Sequence, residues 1–285
     1  MTLPTKTPDY FENMAKKMVD AKAPGLAGWV RAFNNLNYKD KSVWQDEAIA
    51  IISKLNLLLQ GFNHIDPADE VMANTIKSHL GYTFKAKELL ANPTTKTQKD
   101  KWLVLGSTQE AGDDLTINRT WLHGLKSNQS AIIITFESRF SNVAAVPLMD
   151  GSTIEAELAF YPDSAPHRAI VKKQNGVGNT FSTTPKFNKN WTEQHAQKTD
   201  FLKANPWTNN RSYILENLQL IGDGKYWLLV DAEKNYKKIS ANYDEEKIMS
   251  LLLMSNNQPF KLAFLEQANG IYPLGIFGLN KYTCL

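Results

Sequence analysis

The sequence predicts an α+β protein in which an N-terminal helical region precedes an antiparallel β-rich region and a second, smaller α+β unit. Apolar residues recur at three- and four-residue spacing over roughly the first ninety positions, which is typical of amphipathic helices. After Lys101, apolar and polar residues alternate at every second position, which is typical of strands. A stretch rich in Gly, Asn, Ser and Thr then precedes the helix and strand patterns of the C-terminal region. These changes predict regions 1–95, 98–173 and 191–285, with a linker or long loop at 174–190.

The helical region is expected to bury apolar stripes against one another. Phe11, Met14 and Met18 fall at helical spacing in the first helix, and Asp66–Pro67 has the form of a helix start, with an N-cap followed by proline. The most apolar helical stretch is predicted to bury the stripe formed by Ile49, Ile52, Leu55 and Leu59.

Period-two alternation indicates half-buried strands in the middle region. One strand face carries Leu115, Ile117, Arg119 and Trp121, while the residues between them are polar. We therefore expect residues 98–173 to form a small antiparallel sheet or barrel. In the last region, the patterns predict a helix after residue 190, a hairpin turning at Gly222–Gly224, and a helix over 248–254.

Composition excludes several classes of protein. The chain has 285 residues, with 32 Lys and Arg against 29 Asp and Glu, so its net charge of +3 predicts no strong global field. Its single cysteine, Cys284, excludes an intrachain disulfide framework. The N-terminal residues lack the pattern of a signal peptide, and the most apolar helical stretch, Ile49–Leu59, is too short and polar to span a bilayer. We expect a cytoplasmic protein with no membrane partner.

No catalytic, cofactor-binding or metal-ligating residue is predicted. The phosphate-binding and nucleophile-elbow motifs are absent, and no two of the five histidines stand within four positions of each other. The one local group with catalytic residue types is Asp163-Ser164-Ala165-Pro166-His167, whose composition favours a turn between strands. An unrecognised hydrolase built around His167 and Asp163, or around dispersed carboxylates, remains one functional alternative.

Positive charge is concentrated in the segment from Arg168 to Arg211, which holds eight basic residues against Glu193 and Asp200, a net of +6. Phe181, Phe187 and Trp191 interleave with these cations. Cations that follow phosphates and aromatics that stack on bases would form a single-strand platform, although a solvated loop is the simpler interpretation. The residues predicted to bind nucleic acid are Arg168, Lys172, Lys173, Lys186, Lys189 and Trp191.

Several segments together resemble bacterial SWIM zinc finger family proteins, in the part that follows their zinc finger. They are residues 11–27 (FENMAKKMVDAKAPGLA), 57–59 (LLL), 101–106 (KWLVLG), 119–124 (RTWLHG), 156–162 (AELAFYP), 168–172 (RAIVK) and 205–207 (NPW). The resemblance extends nearly to the C-terminus, and none of these segments is a catalytic motif.

The sequence departs from that family at the finger itself. The family's metal ligands form a C-x-C…C-x-H motif, and with only Cys284 present no zinc ligand carries over to this chain. The resemblance implies a non-enzymatic accessory or adaptor protein that acts by protein–protein interaction. It also implies a MoxR-type AAA+ ATPase or a von Willebrand A-domain protein as partner, because such proteins are often encoded beside family members. Nucleic-acid binding through residues 168–211 is the alternative.

Overall fold

The computed structural model describes residues 8–38, 44–66, 68–111, 115–138, 148–178, 181, 183–208, 211–279 and 281–285. The chain forms two compact units. The helical unit comprises the chain up to Leu89 together with Pro162–Ser164 and Asn205–Trp207. The β unit comprises Leu90–Tyr161, Ala165–Ala204 and Thr208–Leu285.

The N-terminal region is helical, as predicted. Its elements are α1 (Pro8–Asp20), α2 (Pro24–Arg31), a 3-10 turn (Ala32–Asn35), α3 (Trp44–Asn63), α4 (Glu70–Leu80) and α5 (Ala86–Ala91). The start of α4 differs from the prediction, because its N-cap is Asp69, whose carboxylate accepts a hydrogen bond from the Met72 amide at 2.9 Å. Asp66 instead accepts from the Ala68 amide at 2.8 Å, and Pro67 lies outside the described residues.

The core of the helical unit includes residues distant in sequence. Leu58, Ile76 and Leu80 pack with Trp207, whose indole N–H donates to the Lys54 carbonyl at 3.1 Å. The Ser164 amide also donates to the Thr75 hydroxyl at 2.8 Å. Two short segments from later in the chain therefore complete the core and hydrogen bonding of the N-terminal helices.

The middle region forms a closed barrel of five strands. They are β1 (Thr97–Ala111), β2 (Leu115–Gly124), β3 (Ser130–Ser138), β4 (Thr153–Phe160) and β5 (Arg168–Gly178), in the order β1-β2-β3-β5-β4. Neighbouring strands are antiparallel except for β3 and β5, which run parallel. The prediction that this region is antiparallel is therefore wrong for β3 and β5, because closing the barrel places these two strands side by side in the same direction.

This strand order is that of the OB fold, a five-stranded Greek-key barrel. β1 pairs with β4 through its first half and with β2 through its second half. A bulge between Val104 and Gly106 allows β1 to bend between the two partners. Gly106 has φ +151°, a backbone conformation that side chains disfavour, so the bend requires glycine.

The C-terminal region contains a six-stranded antiparallel sheet in the order β11-β10-β9-β6-β7-β8. Its elements are α6 (Trp191–Ala204), β6 (Ser212–Gly222), β7 (Trp227–Val230), β8 (Tyr236–Lys238), α7 (Glu245–Ser255), β9 (Phe260–Gln267), β10 (Gly270–Phe277) and β11 (Tyr282–Cys284). The predicted helix after residue 190, the hairpin and the helix over 248–254 are confirmed. The N-cap of α7 is Asp244, which accepts from the Glu246 amide at 2.8 Å.

The barrel and this sheet share a hydrophobic core within the β unit. Leu103, Leu105 and Trp121 from the barrel pack with Leu265 and Leu274 from the sheet. The predicted linker at 174–190 does not separate them, because residues 174–178 continue β5. Phe181 and Phe187 are buried in the shared core and hold this part of the chain against it.

None of the helices in the described parts of the chain combines the length and the apolar character needed to cross a bilayer.

Candidate functional site

The six residues predicted to bind nucleic acid fall on two stretches of the β unit. Arg168, Lys172 and Lys173 lie on β5 and are exposed, as are Lys186 and Lys189 just before α6. The Arg168 guanidinium lies over the Tyr161 ring at 4.5 Å, and Lys172 Nζ is 3.0 Å from Glu157 Oε1. These cations can reach an anion in solvent, but the Glu157 carboxylate already compensates part of their charge.

The aromatic residues of the segment do not form the predicted stacking platform. Trp191, Phe181 and Phe187 are only 4%, 6% and 9% exposed, and the Trp191 indole donates to the Leu229 carbonyl at 3.1 Å. These aromatics alternate with cations in the sequence because their rings lie in the core while the lysines between them face solvent. Buried rings cannot stack on bases, so any contact with nucleic acid would depend on the cations alone.

The residues of the local catalytic-type group are engaged in structural contacts. Asp163 accepts hydrogen bonds from Asn205 Nδ2 at 2.9 and 2.8 Å. His167 Nδ1 lies 3.3 Å from Ser130 Oγ, and both residues are only 5% exposed. This Ser–His pair is closed to a substrate. Burial also raises the pKa of the Cys284 thiol to about 12, which keeps the thiol protonated at neutral pH.

Over the described ranges, no group of three or more His, Cys, Asp or Glu side chains is placed to hold a metal ion.

A groove in the β unit brings together residues that the sequence analysis treated separately. Its cavity of about 580 Å³ is lined by β1, β2, α6, β6, β9 and adjoining residues. We call it the Arg211 groove. Its lining residues are Thr108, Glu110, Arg119, Trp121, Lys198, Phe201, Leu202, Thr208, Arg211, Tyr213, Leu265, Glu266, Gln267 and Ala268.

Two of the three cations in this groove are ion-paired and the third is not. Arg119 Nη1 lies 2.7 Å from Glu110 Oε2, and Lys198 Nζ lies 3.1 Å from Glu266 Oε1. The Arg211 guanidinium instead lies 4.6 Å from the centre of the Phe201 ring, and no carboxylate pairs with it among the residues that the structure describes. Burial lowers the pKa of Arg211, because its charge is partly removed from water.

Two buried N–H groups at the groove have no hydrogen-bond partner within the described part of the chain. They are Nε of Arg211 and the indole Nε1 of Trp121, whose side chain is 3% exposed. A buried donor without an acceptor costs stability, and protein atoms enclose both of these nitrogens. The sequence carried a signal for part of this site, because strand alternation places Arg119 and Trp121 on one face.

The helical unit displays an apolar surface that the sequence analysis assigned to its core. On α3, Ile49, Ile52 and Leu59 are 61%, 51% and 46% exposed. Only Leu55 of the predicted stripe packs against the core. The residues of α3 that pack against the core include Trp44, Ala48, Ile51, Leu55 and Leu58. The prediction is therefore confirmed at Leu55 and wrong by one position at Ile49, Ile52 and Leu59. We call Ile49, Ile52 and Leu59 the α3 stripe.

Residues 1–80 match the family model described as the SWIM-associated four-helix bundle domain. The four helices α1 to α4 fall within the matched range. No curated protein and no solved structure matches the chain. The match supports a SWIM-associated module at residues 1–80, whereas a position downstream of a zinc finger and the resemblance of the later segments stay predictions.

Proposed function

We propose that this chain is a non-enzymatic accessory protein whose helical unit docks onto a protein partner. The observation that carries the proposal is the α3 stripe, three large apolar side chains exposed on one helix of the SWIM-associated bundle. An exposed apolar row on a helix is a recurrent means of binding a protein groove. On this proposal the chain corresponds to the part of a SWIM zinc finger protein that lies downstream of the finger.

The partner that we propose is a MoxR-type AAA+ ATPase or a von Willebrand A-domain protein, since the sequence resemblance implies one of these. The absence of catalysis by the chain itself is part of the proposal. It is supported by the burial of the Ser130–His167 pair and by the protonated state of Cys284.

Replacing Ile52 with glutamate should weaken partner binding about tenfold or more, because a charge would enter the apolar contact. Ala50→Glu is the matched control, since Ala50 is also exposed on α3 but lies on the opposite flank from Ile52. Binding to the purified AAA+ ATPase and to the von Willebrand A-domain protein of the same genome would be measured by calorimetry. Equal affinity of the two variants, or no binding of either partner to the native chain, would contradict the proposal.

Nucleic-acid binding is the second candidate, and the OB strand order of the barrel favours it, because such barrels bind oligonucleotides. The exposed cations at Lys172, Lys173, Lys186 and Lys189 would supply the phosphate contacts.

If this second candidate holds, the fourfold alanine variant of those lysines should bind a single-stranded oligonucleotide more weakly and with a flatter dependence on salt. Fluorescence anisotropy over a salt series measures both quantities. The control replaces the same number of exposed helical-unit lysines, Lys16, Lys17, Lys77 and Lys87, with alanine. Binding that is insensitive to salt, or equally weakened in both variants, would rule out these lysines as the interface.

A further inference from the structure

We propose that the Arg211 groove binds a small organic anion through a single phosphate or carboxylate group held by the Arg211 guanidinium. The proposed docking of the helical unit does not depend on this site, because every residue of the groove belongs to the β unit.

The Arg211 guanidinium is the group in this groove that needs a partner. A guanidinium removed from water without a carboxylate costs stability, and folded proteins rarely keep one unpaired. Phe201 holds the guanidinium by its ring face at 4.6 Å but offers no hydrogen-bond acceptor. The guanidinium lines the groove beside the Trp121 ring, so the site presents a positive charge that no carboxylate of the described lining pairs. An oxyanion supplies the opposite charge that the guanidinium lacks.

The ion pairs of the groove favour a small ligand over a nucleic-acid strand. A strand needs several free cations to follow its successive phosphates. Of the three cations that line this groove, Arg119 and Lys198 already hold Glu110 and Glu266, and Glu266 also accepts a hydrogen bond from Lys237 at 2.8 Å. Arg211 alone lacks a carboxylate among the described residues of the lining. The groove therefore matches a ligand with one anionic group.

The position and the volume of the groove also suit a small ligand. The groove lies against the outer surface of β1 and β2, and barrels of OB order bind ligands on the neighbouring β2–β3 face. Here α6, β6 and β9 form the other wall of the groove and reduce the open face to a cavity of about 580 Å³. That volume suits a small molecule, and Leu202 and Leu265 offer apolar contact for the body of the ligand.

Three probes test this site: phenyl phosphate, benzoate and inorganic phosphate. Binding would be followed by the indole N–H signal of Trp121 in nitrogen-15 NMR spectra, assigned with a Trp121→Phe variant. Phenyl phosphate or benzoate should shift this signal, because the Trp121 side chain lines the groove that the probe enters. A response to phenyl phosphate alone identifies a phosphate ligand, a response to benzoate alone identifies a carboxylate, and a response to inorganic phosphate shows that the anionic group suffices.

Arg211→Met should weaken probe binding about tenfold or more while keeping the volume of the side chain. Arg168→Met removes the same charge from an exposed position on β5 and should bind as the native chain does. In the absence of probe, Arg211→Met should melt at the same temperature as the native chain or higher, because it removes an uncompensated buried charge.

Arg211→Lys retains the charge without the planar fork of guanidinium donors and should bind with intermediate affinity. The proposal is overturned if no probe moves the Trp121 signal, or if Arg211→Met and Arg168→Met bind equally well. A marked loss of thermal stability in both Arg211→Met and Arg211→Lys would also overturn it, since Arg211 would then serve the fold.

Discussion

Replacing Gly25 with alanine should destabilise the helical unit by about 3 kcal/mol, because two backbones meet at this position with no room for a methyl group. A Cβ on Gly25 would fall on the carbonyl oxygen of His79 and lie 2.7 Å from the carbonyl carbon of Leu80. It would also lie 2.8 Å from the amide nitrogen of Gly81. Backbone atoms cannot rotate away, so α2 and the end of α4 would have to separate.

Gly28 provides the matched control for this prediction. It lies on the same helix, α2, and a Cβ there would have no neighbour within 4 Å. Gly28→Ala should therefore stabilise the unit by about 0.5 to 1 kcal/mol through helix propensity. Urea unfolding with hydrogen exchange measured on peptides from residues 8–38 reports on this unit. Similar effects of the two substitutions would show that the close approach is absent in solution.

Lowering the pH from 6.5 to 4 should reduce the free energy of unfolding of the β unit by about 3 kcal/mol, because His123 is buried in its neutral form. Burial lowers the pKa of this imidazole from 6.5 to about 4, and the charge of Arg211 lowers it further, while Asn128 and Asp100 oppose the change. In the unfolded chain His123 takes up a proton near pH 6.5, whereas in the folded chain it resists protonation until about pH 4. The stability that depends on neutral His123 is therefore complete above pH 6.5 and is lost as the pH falls through this window.

The test compares the native chain with His123→Gln. Free energies of unfolding from urea titrations at several pH values should fall less steeply with acid in the variant, even where its stability at neutral pH is lower. In the native chain, the ring signals of His123 should show no titration above about pH 5. A titration midpoint near 6.5 in the folded chain would contradict the prediction.

Local patterns predicted the type of most elements but not which residues meet. On α3, the stripe of Ile49, Ile52 and Leu59 and the stripe of Ala48, Ile51 and Leu58 both satisfy helical spacing, because apolar residues occupy both. Spacing alone cannot choose between them. The choice depends on the neighbouring helices, which determine the side that packs.

The candidate site was predictable only in fragments. Strand alternation places Arg119 and Trp121 on one face, and the charge count includes Lys198 and Arg211 in the basic segment. Their meeting in one groove depends on the packing of the barrel against β6 and β9, which are distant along the chain. Periodicity describes the environment along a single strand or helix and carries no information on such contacts.

The contribution of Trp207 to the core of the N-terminal helices has a consequence for biosynthesis. Because Leu58, Ile76 and Leu80 pack against this indole, they lack their cover until residue 207 has emerged from the ribosome. The bundle is translated first yet reaches its final packing only after the whole barrel has been made. Nascent chains halted before that point should therefore present a chaperone-accessible apolar surface on helices that are already formed.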